Sequence, residues 1–303
     1  MIVILGPTAS GKTTLAAHVA YHLNGEVISA DSRQVYRGMD LGTGKDFQDY
    51  LVNNVRIAYH LIDLAEPGEE YNIYRYQHDF LNAYDEILSR NKLPILCGGS
   101  GMYLEAVLKG YRLPDLEGEE AFSSSLGDKS DEELTEMLRS FKRLHNKTDL
   151  GSRQRIIRAL YIAYRSQQPV WEFPRIDARI FGIHYPRELL RARITARLQD
   201  RLSAGMVEET DRLLQRGISP ERLMQYGLEY RYLTLYKTGQ ISYEEMFKRL
   251  NTAIHQFSKR QMTWFRRMER NGIKIHWIDG QMCVEEKIKA ILQRTEMIMN
   301  VKN

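Results

Sequence analysis

The chain has 303 residues, 43% of them hydrophobic and 27% charged, with a formal net charge of +4. Those proportions fit an ordinary globular protein of one large or two smaller domains and exclude a low-complexity chain. No apolar run approaches the roughly 20 residues of a membrane helix. The start lacks a signal peptide's charged head and apolar run, and Cys97 and Cys283 have no metal-type spacing. A reduced, cytoplasmic protein is expected.

Met1 to Leu5 reads as a short apolar strand. The glycine loop Gly6-Pro7-Thr8-Ala9-Ser10-Gly11-Lys12-Thr13 follows at once, and then a helix from Thr14 to Leu23. A second strand, Glu26 to Ala30, ends at Asp31-Ser32, and a third candidate, Tyr59 to Leu64, ends at an acidic, proline-containing loop. Ile73, Tyr76, Phe80, Ala83 and Ile87 recur at helical spacing, which predicts a helix over Asn72 to Arg90. Leu93 to Cys97 is a fourth strand, closed by Gly98-Gly99-Ser100-Gly101 and followed by a helix from Met102 to Lys109. Strands alternating with helices at this spacing predict an α/β fold, a parallel sheet covered on both faces.

After Pro114 the character changes. Asp115 to Asp149 holds 10 acids against 5 bases and no strand pattern, and helical patterns run from Ser130 to Leu144 and from Gly151 to Arg165. A strand resumes at Arg179 to His184, helix follows from Pro186, and Ser242 to Met268 reads as one long basic helix before a last strand at Lys274 to Ile278. The expected organisation is therefore a core in two parts, 1–114 and 179–303, around a small helical insertion at 115–178. Between Gly151 and Arg201 there are 11 Arg against 4 acids, an excess that suits an anionic partner such as RNA, or else a solvated helix face.

The glycine loop matches G-x-x-x-x-G-K-[ST], the pattern of ATP- and other nucleotide-binding proteins. Its backbone N–H groups wrap a phosphate, Lys12 supplies a point charge and the Thr13 hydroxyl can ligate Mg²⁺. A strand before it and a helix after it add the helix N-terminus to the anion site. Asp31 ends the second strand, at the sheet edge where ligands collect. It could act as a general base, bind Mg²⁺ or substrate, or merely cap a turn. Ser100 sits at the same edge, where its hydroxyl could bond a substrate amine or phosphate, or simply close a strand-to-helix turn.

Taken together the chain resembles the tRNA dimethylallyltransferases, the IPP transferase family with a P-loop fold. The resemblance begins at GPTASGKT and continues through ISADSRQVYRGMDLGTGK (Ile28 to Lys45), HLIDLAEPGEEY (His60 to Tyr71) and LPILCGGSGMYLEAVLKG (Leu93 to Gly110). It goes on with DLGSRQRIIRAL (Asp149 to Leu160), PRELLRARITARLQDRLSAGMVEE (Pro186 to Glu209) and KRQMTWFRR (Lys259 to Arg267). These segments run in order along almost the whole chain.

The resemblance implies transfer of a dimethylallyl group from its diphosphate to the exocyclic amine of the adenosine just 3′ of certain tRNA anticodons, tRNA position 37, with no nucleoside triphosphate hydrolysed. It implies that Lys12, Thr13, Thr14 and Mg²⁺ hold the diphosphate as a leaving group, that Asp31 is the general base, and that Ser100 positions the acceptor. Segments corresponding to tRNA contacts are Asp31-Ser32-Arg33-Gln34 and Gln154-Arg155-Ile156-Ile157-Arg158, with Lys259-Arg260-Gln261 as a further candidate. The partners implied are a tRNA anticodon stem-loop and dimethylallyl diphosphate, with no membrane, and a monomer is expected.

Four departures from the family's pattern stand out. Ser100 replaces a threonine, keeping the hydroxyl. The usual GTAKP reads Gly42-Thr43-Gly44-Lys45-Asp46, and the Gly-Tyr-Lys/Arg segment reads Glu229-Tyr230-Arg231, which keeps a cation, Arg231, to reach the diphosphate. The insertion after Pro114 is also shorter than the family's. A P-loop small-molecule kinase would share the loop and Asp31 but would not need the long basic helix. An isopentenyltransferase of free adenine nucleotides would not need the Arg-rich insertion. A non-catalytic RNA-binding relic would not keep Lys12, Thr13, Asp31 and Arg231 together.

Overall fold

The computed structural model describes residues 1–115, 118–141, 150–167 and 172–299. Two compact units emerge, one of Met1–Leu108 with Ile176–Asn303 and one of Lys109–Arg175. The smaller unit begins and ends earlier than the insertion read from composition, because its flanks pack on one another. Arg112 pairs with Glu172 at 2.7 Å, and Gly110 faces Phe173.

The larger unit is built on a six-stranded parallel sheet in the order β5-β2-β6-β1-β7-β8. The strands are β1 (Ile2–Leu5), β2 (Gly25–Ala30), β5 (Tyr59–His60), β6 (Leu93–Gly98), β7 (Arg179–His184) and β8 (Ile275–Asp279). β1 and β2 are buried along their whole length, as expected of parallel strands covered on both faces. The register aligns their ends: Leu5 sits opposite Gly98 on β6 and Gly182 on β7, and Ala30 sits opposite Gly98. A side chain at Gly98 would collide with the Ala30 carbonyl and lie 2.6 Å from its Cβ. Glycine therefore lets the carboxyl ends of β2 and β6 close up, and three loops leave the sheet at one edge.

Helices cover both faces. α1 (Lys12–His22) buries Leu15, Ala16, Ala17, Val19 and Ala20. α2 (Ile73–Ser89) starts at Asn72, whose side chain accepts from the Arg75 N–H, a standard N-cap. α3 (Gly101–Lys109) follows β6. Beyond β7 come α7 (Arg187–Ser203), α8 (Met206–Gln215), α9 (Pro220–Leu223), α10 (Leu228–Lys237), the 28-residue α11 (Tyr243–Arg270) and, after β8, α12 (Val284–Met299). α11 buries Met246, Leu250, Ala253, Ile254, Ser258, Gln261, Phe265 and Met268, a seam of three- and four-residue steps that seats it along one face. Among the described residues no helix is long and apolar enough to cross a membrane.

Two local expectations change. The strand from Tyr59 stops at His60, because Leu61 and Asp63 take positive φ (62° and 57°). That turn aims Asp63 at the buried Lys45 ammonium, which also holds Asp40 at 2.9 Å. A hairpin that the apolar pattern did not mark joins β3 (Leu51–Val52) to β4 (Val55–Arg56) through Asn53 and Asn54, both at positive φ. This is the backbone of a tight hairpin turn.

The smaller unit contains α4 (Glu119–Ser125), α5 (Asp131–Phe141) and α6 (Arg153–Arg165) around Leu126, Leu134, Leu138, Ile156, Ile157, Ala159 and Leu160. α5 opens on a reciprocal cap, the Ser130 N–H donating to Glu133 at 2.7 Å and the Glu133 N–H to the Ser130 hydroxyl at 3.2 Å. The expected extension of this helix to Leu144, and Asp149 ahead of α6, lie outside the described residues.

Candidate active site

The three loops at the sheet edge open into a cavity of about 860 Å³ in the larger unit. After β1, the chain passes through Ala9 (φ 60°) and Gly11 (φ 76°) before α1 begins. Alternation into the left-handed region turns successive N–H groups towards one point, an anion-binding concavity. The Ser10 hydroxyl is buried and without a hydrogen-bond partner among the described residues. Lys12 folds back to the Pro7 carbonyl at 3.4 Å. Burial lowers its pKa, and Arg197 and Arg201 add to that against the opposing pull of Cys97 and Asp31. An anion entering the cavity would reverse this penalty by restoring a counter-charge.

After β2, Asp31 Oδ1 accepts from the Arg33 N–H at 3.0 Å, which fixes the carboxylate on a tight turn. After β6, the Ser100 hydroxyl accepts from the Ser32 N–H at 3.1 Å. Ser100 thus ties the end of β6 to the Asp31 turn, so its local task is to hold that turn. Gln34 is braced between the Ser29 hydroxyl at 2.9 Å and the Gly44 carbonyl at 3.0 Å. Cys97, buried behind Lys12, has its thiol pushed up to about 12 by burial and is no nucleophile at neutral pH.

α11 closes the edge from another side. Gln261 is buried; its Oε1 accepts from the Thr8 N–H at 2.9 Å and its Nε2 donates to the Gly99 carbonyl at 3.0 Å. One turn on, the Trp264 ring lies against Gly101, and Arg267 stacks on it at 3.9 Å while pairing with buried Glu105 at 2.7 Å.

α7 supplies a row of cations that sequence reading passed over. Arg193 Nε donates to the Ala9 carbonyl at 2.9 Å. Arg197 Nη2 is 2.5 Å from Asp46, and Arg201 Nη2 is 3.2 Å from the same carboxylate. Burial alone would raise the Asp46 pKa, but Arg201 and Arg197 hold it below the usual carboxylate range. The loop carrying Asp46 is shaped by Glu209, which accepts from the N–H groups of Asp40, Leu41 and Gly42 at 2.8–2.9 Å and from the Tyr230 hydroxyl at 2.6 Å. The signal was present as spacing: 193, 197 and 201 fall on one helix face.

Of the residues expected from the sequence, Thr8 to Thr14, Asp31, Ser32, Arg33, Gln34, Ser100, Arg231, Arg260 and Gln261 line this one cavity. Gly6 and Pro7 lead into it, and Lys259 is exposed on α11 outside the lining. Arg231 is exposed, as is Arg193, and Arg197 and Arg201 are the more enclosed cations. Glu229 also lines the cavity, with its pKa raised by burial. The segment 154–158 belongs to the smaller unit, where Gln154 and Arg155 are exposed and Arg158 lies 3.8 Å from Glu119. Ile156 and Ile157 are packed in that unit's core. Their side chains serve packing, which leaves Gln154, Arg155 and Arg158 as the side chains of this segment that reach solvent.

Among the described residues, no cluster of three or more His, Cys, Asp or Glu is set to cage a metal. Thr13 lines the cavity beside Lys12, which fits a magnesium ion that takes its other ligands from phosphate and water, as this ion does in phosphate sites.

Strand, glycine loop and helix, with an aspartate at the next strand end and arginines facing the loop, define an α/β protein with a P-loop-like fold. The IPP transferase family model matches residues 34–268. A tRNA dimethylallyltransferase of Bacteroides fragilis is 56% identical over 297 residues, covering 97% of this chain and 97% of that protein. The crystal structure of the tRNA isopentenylpyrophosphate transferase of Bacillus halodurans is 29% identical with a TM-score of 0.71, over 99% of this chain and 97% of that one. A eukaryotic dimethylallyltransferase acting on tRNA shares the fold at 22% identity, with a TM-score of 0.79 over 99% of this chain and 79% of that one. The chain belongs to the IPP transferase family.

Proposed function

We propose that this protein transfers a dimethylallyl group from dimethylallyl diphosphate to the exocyclic amine of an adenosine in tRNA, at position 37 beside the anticodon, and releases diphosphate. The observation that carries this reading is one cavity into which the phosphate loop and Asp31 emerge from the ends of β1 and β2, the two strands that flank β6, aligned by the Leu5–Gly98–Ala30 register. The names of the Bacteroides fragilis and Bacillus halodurans relatives support the same chemistry.

In this reading the loop N–H groups, Lys12, Arg193 and Arg197 hold the diphosphate and stabilise the charge that grows on it as the allylic carbon–oxygen bond stretches. A magnesium ion, when bound through Thr13, would supply further positive charge to the leaving group. The adenine nitrogen forms a bond to the allylic carbon as the bond to diphosphate oxygen breaks. The electron pair leaves with the diphosphate, and the amine proton passes to Asp31. An exocyclic amine is a weak nucleophile, so fixing Asp31 through the Arg33 N–H and the Ser100–Ser32 link serves positioning above all. The base must leave the anticodon stack to enter, at a cost of a few kcal/mol offset by stacking in the pocket. Trp264, Phe257 and Met102 line the cavity with aromatic and apolar surface for that purpose. On the smaller unit, exposed Gln154 and Arg155 and the half-exposed Arg158 serve as phosphate contacts.

The test is direct: incubate the protein with unmodified tRNA and dimethylallyl diphosphate and weigh the RNA by mass spectrometry. One added five-carbon unit on the adenosine is expected. No mass gain on any tRNA sinks the reading, and ATP consumption without RNA would favour a kinase instead.

A further inference from the structure

Two residues of the 42–46 loop, Gly44 and Asp46, fall on the same guanidinium. Gly44 has φ 77°, and a side chain there would collide with Arg201, its Cβ lying 2.9 Å from Cζ. Asp46 supplies the counter-charge, 3.2 Å from Arg201 Nη2 and 2.5 Å from Arg197 Nη2. The loop is thus both hollowed and charged to accommodate α7's arginines.

Lys12, Arg197 and Arg201 share one cavity and repel one another. The Arg201 guanidinium is largely buried, and its Nε has no hydrogen-bond partner among the described residues. Enclosed cations need an anion, and Asp46 is the carboxylate that meets two of them. A diphosphate held by Lys12 would present oxygens of the same charge to the same guanidinium N–H groups. Carboxylate and diphosphate would then compete for these donors and repel each other across a partly desolvated space.

We propose that Asp46 is a resident counter-ion, which holds Arg197 and Arg201 at the phosphate cavity while it is empty and competes with diphosphate for them, so weakening retention of the product. The inference rests on the reading that the loop takes a diphosphate. Asp46 acts through the arginines and is a positioning residue.

The measurement is the affinity of the full chain for inorganic pyrophosphate with Mg²⁺, by isothermal titration calorimetry. Asp46→Asn keeps the side chain's shape and removes its charge. It is expected to bind pyrophosphate about tenfold more tightly, or ~1.4 kcal/mol, and Asp46→Ala is expected to tighten binding as well. Asp46→Glu restores the charge and stays near wild type. A purely structural role predicts the opposite sign, since a loosened loop would bind worse. Unchanged or weaker binding in both neutral variants, with wild type binding normally, overturns this inference alone. Failure of the wild type to bind pyrophosphate overturns the reading of the cavity as well.

Discussion

The sheet edge of the larger unit and the helical core of the smaller one reach order by different means. At the sheet edge, positions are dictated by close backbone approach: Gly98 against Ala30, Gln261 between Thr8 and Gly99, Glu209 under three consecutive N–H groups. In the smaller unit, Leu134, Leu138, Ile156 and Leu160 need only be apolar and face inward. Chemistry that depends on tenths of an ångström sits on the first kind of framework.

The largest expected effect isolates chemistry at the sheet edge. Asp31→Ala should lower kcat for prenyl transfer by ~10²–10⁴, the usual range for a general base, while tRNA affinity in a filter-binding assay stays within a few-fold. Full activity would remove Asp31 from the base role. Gly98→Ala should destabilise the larger unit by ~3 kcal/mol or more, since backbone has to move to admit the methyl, seen as a lowered urea midpoint. A cost below ~1 kcal/mol would show that the strand ends are less constrained than their register implies.

Leu138→Ala tests the other side. Leu138 is fully buried, so ~2–4 kcal/mol of local stability should be lost. Prenyl transfer to tRNA should fall while pyrophosphate binding is unchanged. Equal loss of both would erase the distinction between the two units.

The outer edge of the sheet offers a pH test. Burial would raise the pKa of Glu26, but hydrogen bonds from Arg90, Lys92 and His60 lower it to about 2. A depressed carboxyl contributes stability above its unfolded value near 4.5, and that contribution is lost as pH falls from there towards 2. Urea midpoints should therefore drop between pH 5 and pH 3, and Glu26→Gln should flatten part of that slope. The smallest effect is expected from Arg155→Ala, exposed on α6. It should raise KM for tRNA a few-fold and leave stability within ~0.5 kcal/mol.

The central sheet was legible because buried parallel strands are short apolar runs, and β1, β2, β6 and β7 each carry one. The glycine loop and Asp31 were legible because a strand end followed by those residue types leaves few alternatives. Where the strand from Tyr59 stops was not, since it is set by Asp63 turning to meet Lys45, a contact 18 residues back in the chain. The Asn53-Asn54 turn carried its own signal, but strands of two residues are too short to show alternation. The α7 arginines read equally well as a solvated face until Ala9 and Asp46 were seen opposite them. Ser100 lines the cavity, and its bond to the Ser32 N–H depends on strand register that no local pattern encodes.

The bridge from Gln261 to Thr8 spans 253 positions. During synthesis the phosphate loop leaves the ribosome well before the side chain that clasps it, and β8 is made later still. A nascent chain therefore carries an incomplete loop while the intervening residues are made. The site is complete only once α11 docks, and the sheet only once β8 has joined it.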